Sequence, residues 1–169
     1  MALRNILEKG DTTLEKRCRP IKDFDKRLHM LLDDMHETLM DVNGVGLAAP
    51  QVGVLRRAVL VLETNVEEGE EPYIIELLNP EIESVSGEQT GAEGCLSVPG
   101  VFGIVTRPDT VTVRAQDRYG NPFTVTGYNL TARAFCHEID HLDGYLFLSK
   151  AERILSQEEL DNGYDGEDE

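Results

Sequence analysis

Residues 130–142 read Leu-Thr-Ala-Arg-Ala-Phe-Cys-His-Glu-Ile-Asp-His-Leu and predict a helix that ends near Gly144. His137 and His141 are four residues apart, so a helix places both imidazoles on one face, with Glu138 between them in the chain. Two neutral imidazoles on one face can hold a divalent cation, and the glutamate can take a proton from a water bound to that cation. This pattern predicts the core of a metal hydrolase. The alternative is that both histidines belong to the polar surface of a solvated helix.

A catalytic metal site of this kind needs a third protein ligand, with the fourth position left to water. A cysteine thiolate, another histidine or a carboxylate could fill that role. Cys95 stands out because it lies between expected strands in Glu93-Gly94-Cys95-Leu96-Ser97, where a glycine lets the backbone approach closely. A buried cysteine alone is more often structural than a ligand. His29 and His36 are expected on the surface of another helix.

Residues 44–51, Gly-Val-Gly-Leu-Ala-Ala-Pro-Gln, superficially resemble the glycine-rich loop of a dinucleotide site. That interpretation fails because a helix precedes the loop where a strand is required, and Pro50 interrupts the helix that should follow. The loop can instead bring bare backbone against a ligand, with the side-chain amide of Gln51 donating to a developing oxyanion. The alternative is a plain helix-to-strand connection with Gln51 on the surface.

The composition fits one globular domain that does not bind nucleic acid through a basic patch. A chain of 169 residues is long enough for one domain with a proper core, and its net charge of -16 argues against a partner held through phosphates. The sequence shows no export signal and no apolar run long enough to span a membrane. Its three cysteines favour reduced thiols over disulfides. We therefore expect a cytoplasmic protein with no membrane partner.

The spacing of apolar residues predicts an α+β fold. An N-terminal amphipathic helix is expected over residues 24–41, with Asp23 as its cap. We expect antiparallel or mixed β-sheets packed around the central metal-binding helix. The expected strands cover residues 57–62, 73–78, 81–86, 111–115 and 123–126, with Asn79-Pro80 interrupting the chain between the second and the third.

The C-terminal part of the chain is expected to differ from the rest. Residues 1–150 form a single domain in this interpretation, and residues 152–160 are expected to add a short helix. Residues 158–169 contain seven acidic residues and no basic one, so residues 161–169 are expected to form a disordered acidic tail.

The three segments together, in this order, resemble the peptide deformylase family. That family carries the motifs G-x-G-x-A-A-x-Q, E-G-C-x-S and H-E-x-D-H, which appear here as residues 44–51, 93–97 and 137–141. The resemblance spans roughly residues 1–150, which would then form the catalytic domain. It implies a metal-dependent hydrolase that removes the formyl group from the N-terminal formyl-methionine of newly made polypeptides and releases formate.

The resemblance also implies a role for each matching residue. The implied metal ligands are Cys95, His137 and His141. Glu138 would be the general base and acid, while the backbone N–H of Leu96 and the amide of Gln51 would hold the oxyanion. The residues that would line the peptide are Val45, Gly46 and Gly94 through their backbone. The wall of the methionine pocket should be apolar and is expected from Val45, Leu130, Ala134 and the edge of His137.

The identity of the metal is open from the residues alone. Cysteine and two histidines by themselves suggest zinc, whereas the resemblance implies ferrous iron, with nickel or cobalt as active substitutes. The implied partners are formyl-methionyl nascent peptides close to the ribosome. The alternatives are a zinc peptidase with the same H-E-x-x-H chemistry and a non-catalytic peptide-binding relative, although a structural metal site would not require Glu138.

Three positions outside the motifs need comment. Cys136 stands where many relatives have glutamine, and we expect it to pack in the core. Phe102 stands where some relatives carry an arginine near the substrate entrance, which leaves the contacts beyond methionine open. Arg107 is expected to pair with Asp140 and to hold the helix in place.

Overall fold

The computed structural model describes residues 2–163, which fold into two antiparallel β-sheets and three α-helices. The helices are α1 (Lys26–Val42), α2 (Leu130–Leu142) and α3 (Gln157–Asp161). The strands are β1 (Gly46–Ala48), β2 (Ala58–Glu63), β3 (Tyr73–Ser86), β4 (Gln89–Cys95), β5 (Val98–Arg107), β6 (Thr110–Gln116), β7 (Pro122–Tyr128) and β8 (Ala151–Ile154). The five-stranded sheet has the order β1-β2-β3-β6-β7, and the three-stranded sheet has the order β4-β5-β8.

Helices α1 and α2 cover opposite faces of the five-stranded sheet. The side chains of β2 alternate between these two faces, so neighbouring residues of the strand contact different helices. Val59 and Val61 join the cluster that contains Phe135 of α2, whereas Leu60 joins the cluster that contains Leu32 of α1. Eleven of the 13 residues of α2 are buried, and the fold class predicted from the sequence is confirmed. No helix within residues 2–163 combines the length and apolar character that a membrane crossing requires.

Helix α1 begins two residues later than predicted, at Lys26. Its cap is the side chain of Asp25, which accepts a hydrogen bond from Leu28 N at 3.1 Å, so the prediction of Asp23 as cap is wrong. His29 and His36 are half-buried, contrary to the prediction of a surface position. The ring Nε2 of His29 lies 2.7 Å from the carbonyl oxygen of Arg118, which brings α1 against the turn between β6 and β7.

Asn79 does not divide the chain into two strands as predicted. It adopts φ +50° and sits at a register shift, and β3 continues through it to Ser86. The side-chain oxygen of Asn79 accepts from Ile21 N at 2.7 Å, and its amide nitrogen donates to Ile21 O at 2.9 Å. These bonds secure the irregular backbone of the bulge, so the strand does not have to end there.

The three-stranded sheet was largely missed by the sequence analysis. β4 reads Gln-Thr-Gly-Ala-Glu-Gly-Cys, which contains few branched or aromatic residues, so Cys95 ends a strand and does not lie between strands as expected. Residues 151–154 form β8 beside β5, and the helix predicted over 152–160 is reduced to α3. The predicted disordered tail begins within α3, and its residues 164–169 lie outside the described part of the chain.

Glu76 of β3 carries a carboxylate that joins α1 and the β6–β7 turn to the sheet. Its Oε1 accepts from Nε of Arg118 at 3.0 Å, and its Oε2 lies 2.7 Å from Nε2 of His36. Arg118 also donates to Asp33 of α1 at 3.1 Å. Burial alone would raise the pKa of Glu76, but the hydrogen bonds from Arg118 and His36 outweigh it and lower the pKa to about 2.

Replacing Glu76 with glutamine should lower the free energy of unfolding at neutral pH by about 1–3 kcal/mol, because Arg118 loses a charged acceptor. The folded pKa of about 2 lies below the ordinary value of 4.5. The difference in free energy of unfolding between the wild type and Glu76→Gln is therefore fully present at pH values above 4.5, the ordinary pKa. It disappears as the pH falls from 4.5 towards 2. Urea unfolding of both proteins across this range measures the effect.

The control for this experiment is Glu81→Gln, because Glu81 pairs with Arg114 on the exposed surface. Its free energy of unfolding should change by less than about 0.5 kcal/mol at any pH in the range. A difference between wild type and Glu76→Gln that stays constant as the pH falls would contradict the role given to this carboxylate.

Candidate metal centre and active site

The two histidines of α2 face Cys95 at the end of β4. One ligand atom from each of Cys95, His137 and His141 lies within 4.8 Å of the other two. Cys95 Sγ is 3.3 Å from Nε2 of His141, whose side chain is fully buried. A thiolate and two imidazoles that converge in this way suit a divalent transition metal, so the donor set fits the cation implied by the sequence.

The backbone around Cys95 directs its sulfur towards α2. Cys95 lies opposite Val98 in the short turn that joins β4 to β5, and Ser97 N donates to Sγ at 3.4 Å. The amide nitrogen of Gln51 lies 3.6 Å from the same sulfur. These contacts hold the sulfur in position beside the two histidines of α2.

His137 is oriented by Glu93 of β4. Its Nδ1 lies 2.6 Å from Glu93 Oε2, which leaves Nε2 to face the site. Arg107 donates to both oxygens of the Glu93 carboxylate, at 3.2 and 2.7 Å, and Arg133 donates to Oε1 at 2.7 Å. Burial alone would raise the pKa of Glu93, but the hydrogen bonds from His137 and Arg107 outweigh it and hold the pKa well below its usual range.

The expected pair between Arg107 and Asp140 is present in the structure. Nη1 of Arg107 lies 2.8 Å from Asp140 Oδ2, and Lys150 Nζ lies 3.1 Å from the other carboxylate oxygen. Because Arg107 belongs to β5 and Asp140 to α2, the pair holds the helix that carries both histidines against the three-stranded sheet. Cys136 packs in the apolar cluster between α2 and the five-stranded sheet, as predicted.

Glu138 is deeply buried, and one of its carboxylate oxygens accepts no hydrogen bond. Its Oε1 is one of three buried side-chain oxygen or nitrogen atoms within residues 2–163 that have no hydrogen-bond partner, and Nδ1 of His141 is another. Its Oε2 lies 4.0 Å from Nε2 of His137. Burial raises the pKa of Glu138 to about 7, so the carboxylate is suited to accept and return a proton near neutral pH.

The Glu138 side chain occupies the space where a side chain at position 46 would lie, and Gly46 has none. A Cβ atom added to Gly46 would lie 2.5 Å from Oε2 of Glu138, closer than real Cβ atoms approach. Gly46 belongs to β1 and pairs with Val61, so the backbone at this point cannot easily move aside. The second glycine of the segment 44–51 is therefore required by the approach of a carboxylate.

Gln51 is buried, so the interpretation of this residue as a surface side chain is wrong. It lies in the short 3₁₀ helix Ala49–Val52, and its Oε1 accepts from Ala48 N at 2.9 Å. Its Nε2 donates to Ser97 Oγ at 3.1 Å and lies beside Cys95 Sγ. The amide is thus held with its nitrogen pointing towards the metal ligands.

A cavity of about 480 Å³ opens over these residues. All the site residues predicted from the sequence line it, with the exception of His141, which lies fully buried behind it. The partly exposed side chains of Val45 and Leu130 lie at the rim, as does Phe102, whose ring covers the backbone of Gly94. A side chain at position 94 would therefore displace that ring.

Three residues of the site were not identified as functional from the sequence. They are Glu93, Ser97 and Arg133. Glu93 and Ser97 lie within the recognised segment, but only the fold shows that they hold His137 and Gln51. Arg133 lies four residues before His137, a spacing that places both on one helical face and could have indicated their proximity.

Comparison with known proteins decides the family. The family model described as polypeptide deformylase matches residues 3–157. The chain belongs to the peptide deformylase family. The recognition made from three motifs is thereby confirmed, and the chain is a hydrolase of the class that removes the N-formyl group.

Individual relatives agree with this assignment. The chain is 53% identical over 161 residues to a peptide deformylase of Caldicellulosiruptor bescii, covering 95% of this chain and 93% of that protein. It superposes on the crystal structure of a peptide deformylase from Legionella pneumophila with a TM-score of 0.81 at 44% identity, covering 92% of this chain and 88% of the other. A class I type b peptide deformylase from Acinetobacter baumannii with Met-Ala-Ser bound gives a TM-score of 0.80 at 33% identity, covering 88% and 98%.

Replacing Gly46 with alanine should reduce formate release from a formyl-methionyl tripeptide by about tenfold to a hundredfold, because the added methyl group displaces Glu138. Metal content should stay at the wild-type level, since the three atoms nearest to the added Cβ all belong to Glu138. Metal analysis and a steady-state assay of the same preparation measure both quantities.

Gly44→Ala is the matched control from the same segment. Its added Cβ would meet the side-chain tips of Leu39, Leu96 and Val42, at 3.1, 3.3 and 3.7 Å, and the two nearer tips can shift by a few tenths of an ångström. Gly46→Ala activity equal to that of Gly44→Ala would show that Glu138 does not depend on the space at Gly46.

Proposed function

We propose that this deformylase holds one divalent cation through Cys95, His137 and His141 and uses Glu138 to move protons during hydrolysis of the formyl group. The observation that carries the proposal is the position of Glu138 Oε1. This oxygen is buried without a partner beside the converging donor set, in the wall of the cavity. Such an acceptor is poorly suited to a purely structural site, which has no use for an unpaired carboxylate oxygen.

Ferrous iron is the cation proposed for this site, with zinc, nickel or cobalt able to take its place. The soft thiolate and the two imidazoles suit all four ions, and the family resemblance favours iron. When bound, the cation would polarise a water molecule, lower its pKa and withdraw charge from the formyl oxygen.

The substrate proposed for the cavity is the formylated N-terminus of a nascent polypeptide. β1 and β4 each lie at the edge of a sheet, and Gly46 of β1 and Gly94 of β4 line the cavity together with Val45, which immediately precedes β1. An extended peptide can pair with exposed edge strands of this kind. The relative from Acinetobacter baumannii has been crystallised with Met-Ala-Ser, which supports the same mode of binding here.

The methionine side chain is proposed to enter the part of the cavity walled by Leu130 and Ala134 of α2, with Val45 at the rim. Leu130 and Ala134 lie on the same stripe of α2 as His137. The methionine side chain and the formyl carbon would therefore be positioned by one rigid element. A tight site beside the metal ligands would admit the small formyl group and exclude larger acyl groups.

The chemistry proposed for the protein groups is an addition followed by release of the amine. Glu138 takes a proton as water attacks the formyl carbon, and the negative charge that develops on the formyl oxygen meets the N–H of Leu96 and Nε2 of Gln51. Ser97 and Ala48 hold the Gln51 amide in that orientation. Glu138 then gives its proton to the departing nitrogen as the carbon–nitrogen bond breaks, leaving formate and a free N-terminus.

The proposed site of action follows from this substrate. Formylated N-termini exist on chains that have just been made, so we propose that the enzyme works in the cytoplasm close to the ribosome.

Formate release from formyl-Met-Ala-Ser by the metal-loaded protein tests the proposal. Replacing Glu138 with glutamine should reduce kcat by at least about a thousandfold while leaving metal content unchanged, because the amide cannot accept the proton. Mass spectrometry of the products shows whether any bond other than the formyl amide is cut.

Glu37→Gln is the matched control, because Oε2 of Glu37 is also a buried carboxylate oxygen without a partner but lies on α1, outside the cavity. Its kcat should equal that of the wild type. Cleavage between methionine and alanine would identify a peptidase, and a metal-loaded wild type that releases no formate would refute the proposed function.

A further inference from the structure

Arg133 places a buried positive charge in the wall of the cavity, one helical turn before His137. Its side chain is 9% exposed, and Nη1 donates to Glu93 Oε1 at 2.7 Å. Nη2 donates to the carbonyl oxygen of Val105 on β5 at 3.1 Å. Arg133 is therefore the residue that joins the side-chain pocket to the carboxylate that orients a metal ligand.

Among the largely buried side chains that form ion pairs with Glu93 or Arg107, positive and negative charges are equal in number when Arg133 is included. Arg107 carries one positive charge but serves two carboxylates, Glu93 and Asp140, at 2.7 and 2.8 Å. Arg133 supplies the second positive charge, so the four ionised side chains sum to zero. Lys150 also contacts Asp140, but its side chain is 47% exposed and its charge is more strongly screened by water.

A buried carboxylate with unbalanced charge would act on the metal through His137. The hydrogen bond between Glu93 and Nδ1 of His137 lets negative charge on the carboxylate increase electron donation by the imidazole. Stronger donation holds a cation more tightly but makes it a weaker Lewis acid. The same unbalanced charge would oppose the oxyanion that forms during the reaction.

We propose that Arg133 is a positioning residue that offsets the negative charge of Glu93. It thereby limits electron donation from His137 and keeps the bound metal a strong enough Lewis acid for catalysis. This inference rests on the proposed function and adds a residue to it. Because Arg133 also lines the pocket, a bound methionine side chain shields the guanidinium from water and strengthens its effect on Glu93 while the substrate is in place.

Three replacements separate charge, hydrogen bonding and shape. Arg133→Met is unbranched and neutral, Arg133→Gln is neutral and keeps a hydrogen-bond donor, and Arg133→Lys keeps the charge. The measurements are the dissociation constant for Co²⁺ from competition with a chelator, the visible absorption spectrum of the Co²⁺ protein, and kcat and KM separately.

Both neutral variants should bind Co²⁺ at least about tenfold more tightly than the wild type and show a shifted Co²⁺ spectrum. Their kcat should fall by about tenfold or more, with a smaller change in KM. Arg133→Lys should return the affinity, the spectrum and kcat towards wild-type values. If Arg133→Met does not fold, as circular dichroism would show, Arg133→Gln provides the same comparison.

Several results would overturn the inference. The neutral variants could keep the wild-type Co²⁺ affinity and spectrum, or they could bind Co²⁺ more weakly than the wild type. The lysine variant could also behave like the neutral variants. Change confined to KM would also overturn it, since Arg133 would then act only through the shape of the pocket. The metal measurements do not depend on formate release, so a wild type without activity would refute the proposed function and leave this test valid.

Discussion

One buried carboxylate, that of Glu93, connects the proposed metal site to the rest of the protein. It extends from β4 and accepts hydrogen bonds from His137 and Arg133 of α2 and from Arg107 of β5. Each oxygen of this carboxylate has two partners, and removing one member of a buried ion pair typically costs about 3–5 kcal/mol. The three-stranded sheet and the central helix are therefore held in one relative position by the residue that also fixes the His137 ring.

This connection explains why the site depends on the complete fold. His137 and His141 belong to a helix packed on the five-stranded sheet, whereas Cys95 belongs to the three-stranded sheet. Neither part alone holds all three ligands. The cavity forms between an edge strand of each sheet, so the geometry that assembles the ligands also creates a groove suited to an extended peptide.

The sequence predicted those parts of the site that depend on local spacing. The four-residue interval between His137 and His141 is sufficient to place both rings on one helical face. Cys95 and Gln51 could be given roles only through a family resemblance, because their proximity to α2 depends on strand pairing over long distances in the chain.

Other features leave no local pattern in the sequence. β4 does not show as a strand, since glycine, alanine and glutamate give no alternating apolar pattern. The bulge at Asn79 resembles a strand end, because its stabilising side-chain bonds to Ile21 join residues far apart in the chain. Arg133 was missed because a charged residue on a helix is ordinarily a surface residue, and only Glu93 and Val105 make its burial favourable.

The central claim is that Cys95, His137 and His141 bind one cation beside Glu138. An anomalous difference map, recorded at the iron absorption edge from crystals grown without oxygen in ferrous iron, tests it most directly. One strong peak is expected within bonding distance of Cys95 Sγ and Nε2 of both histidines. A peak elsewhere, or no peak from crystals whose protein contains one iron per chain, would contradict it.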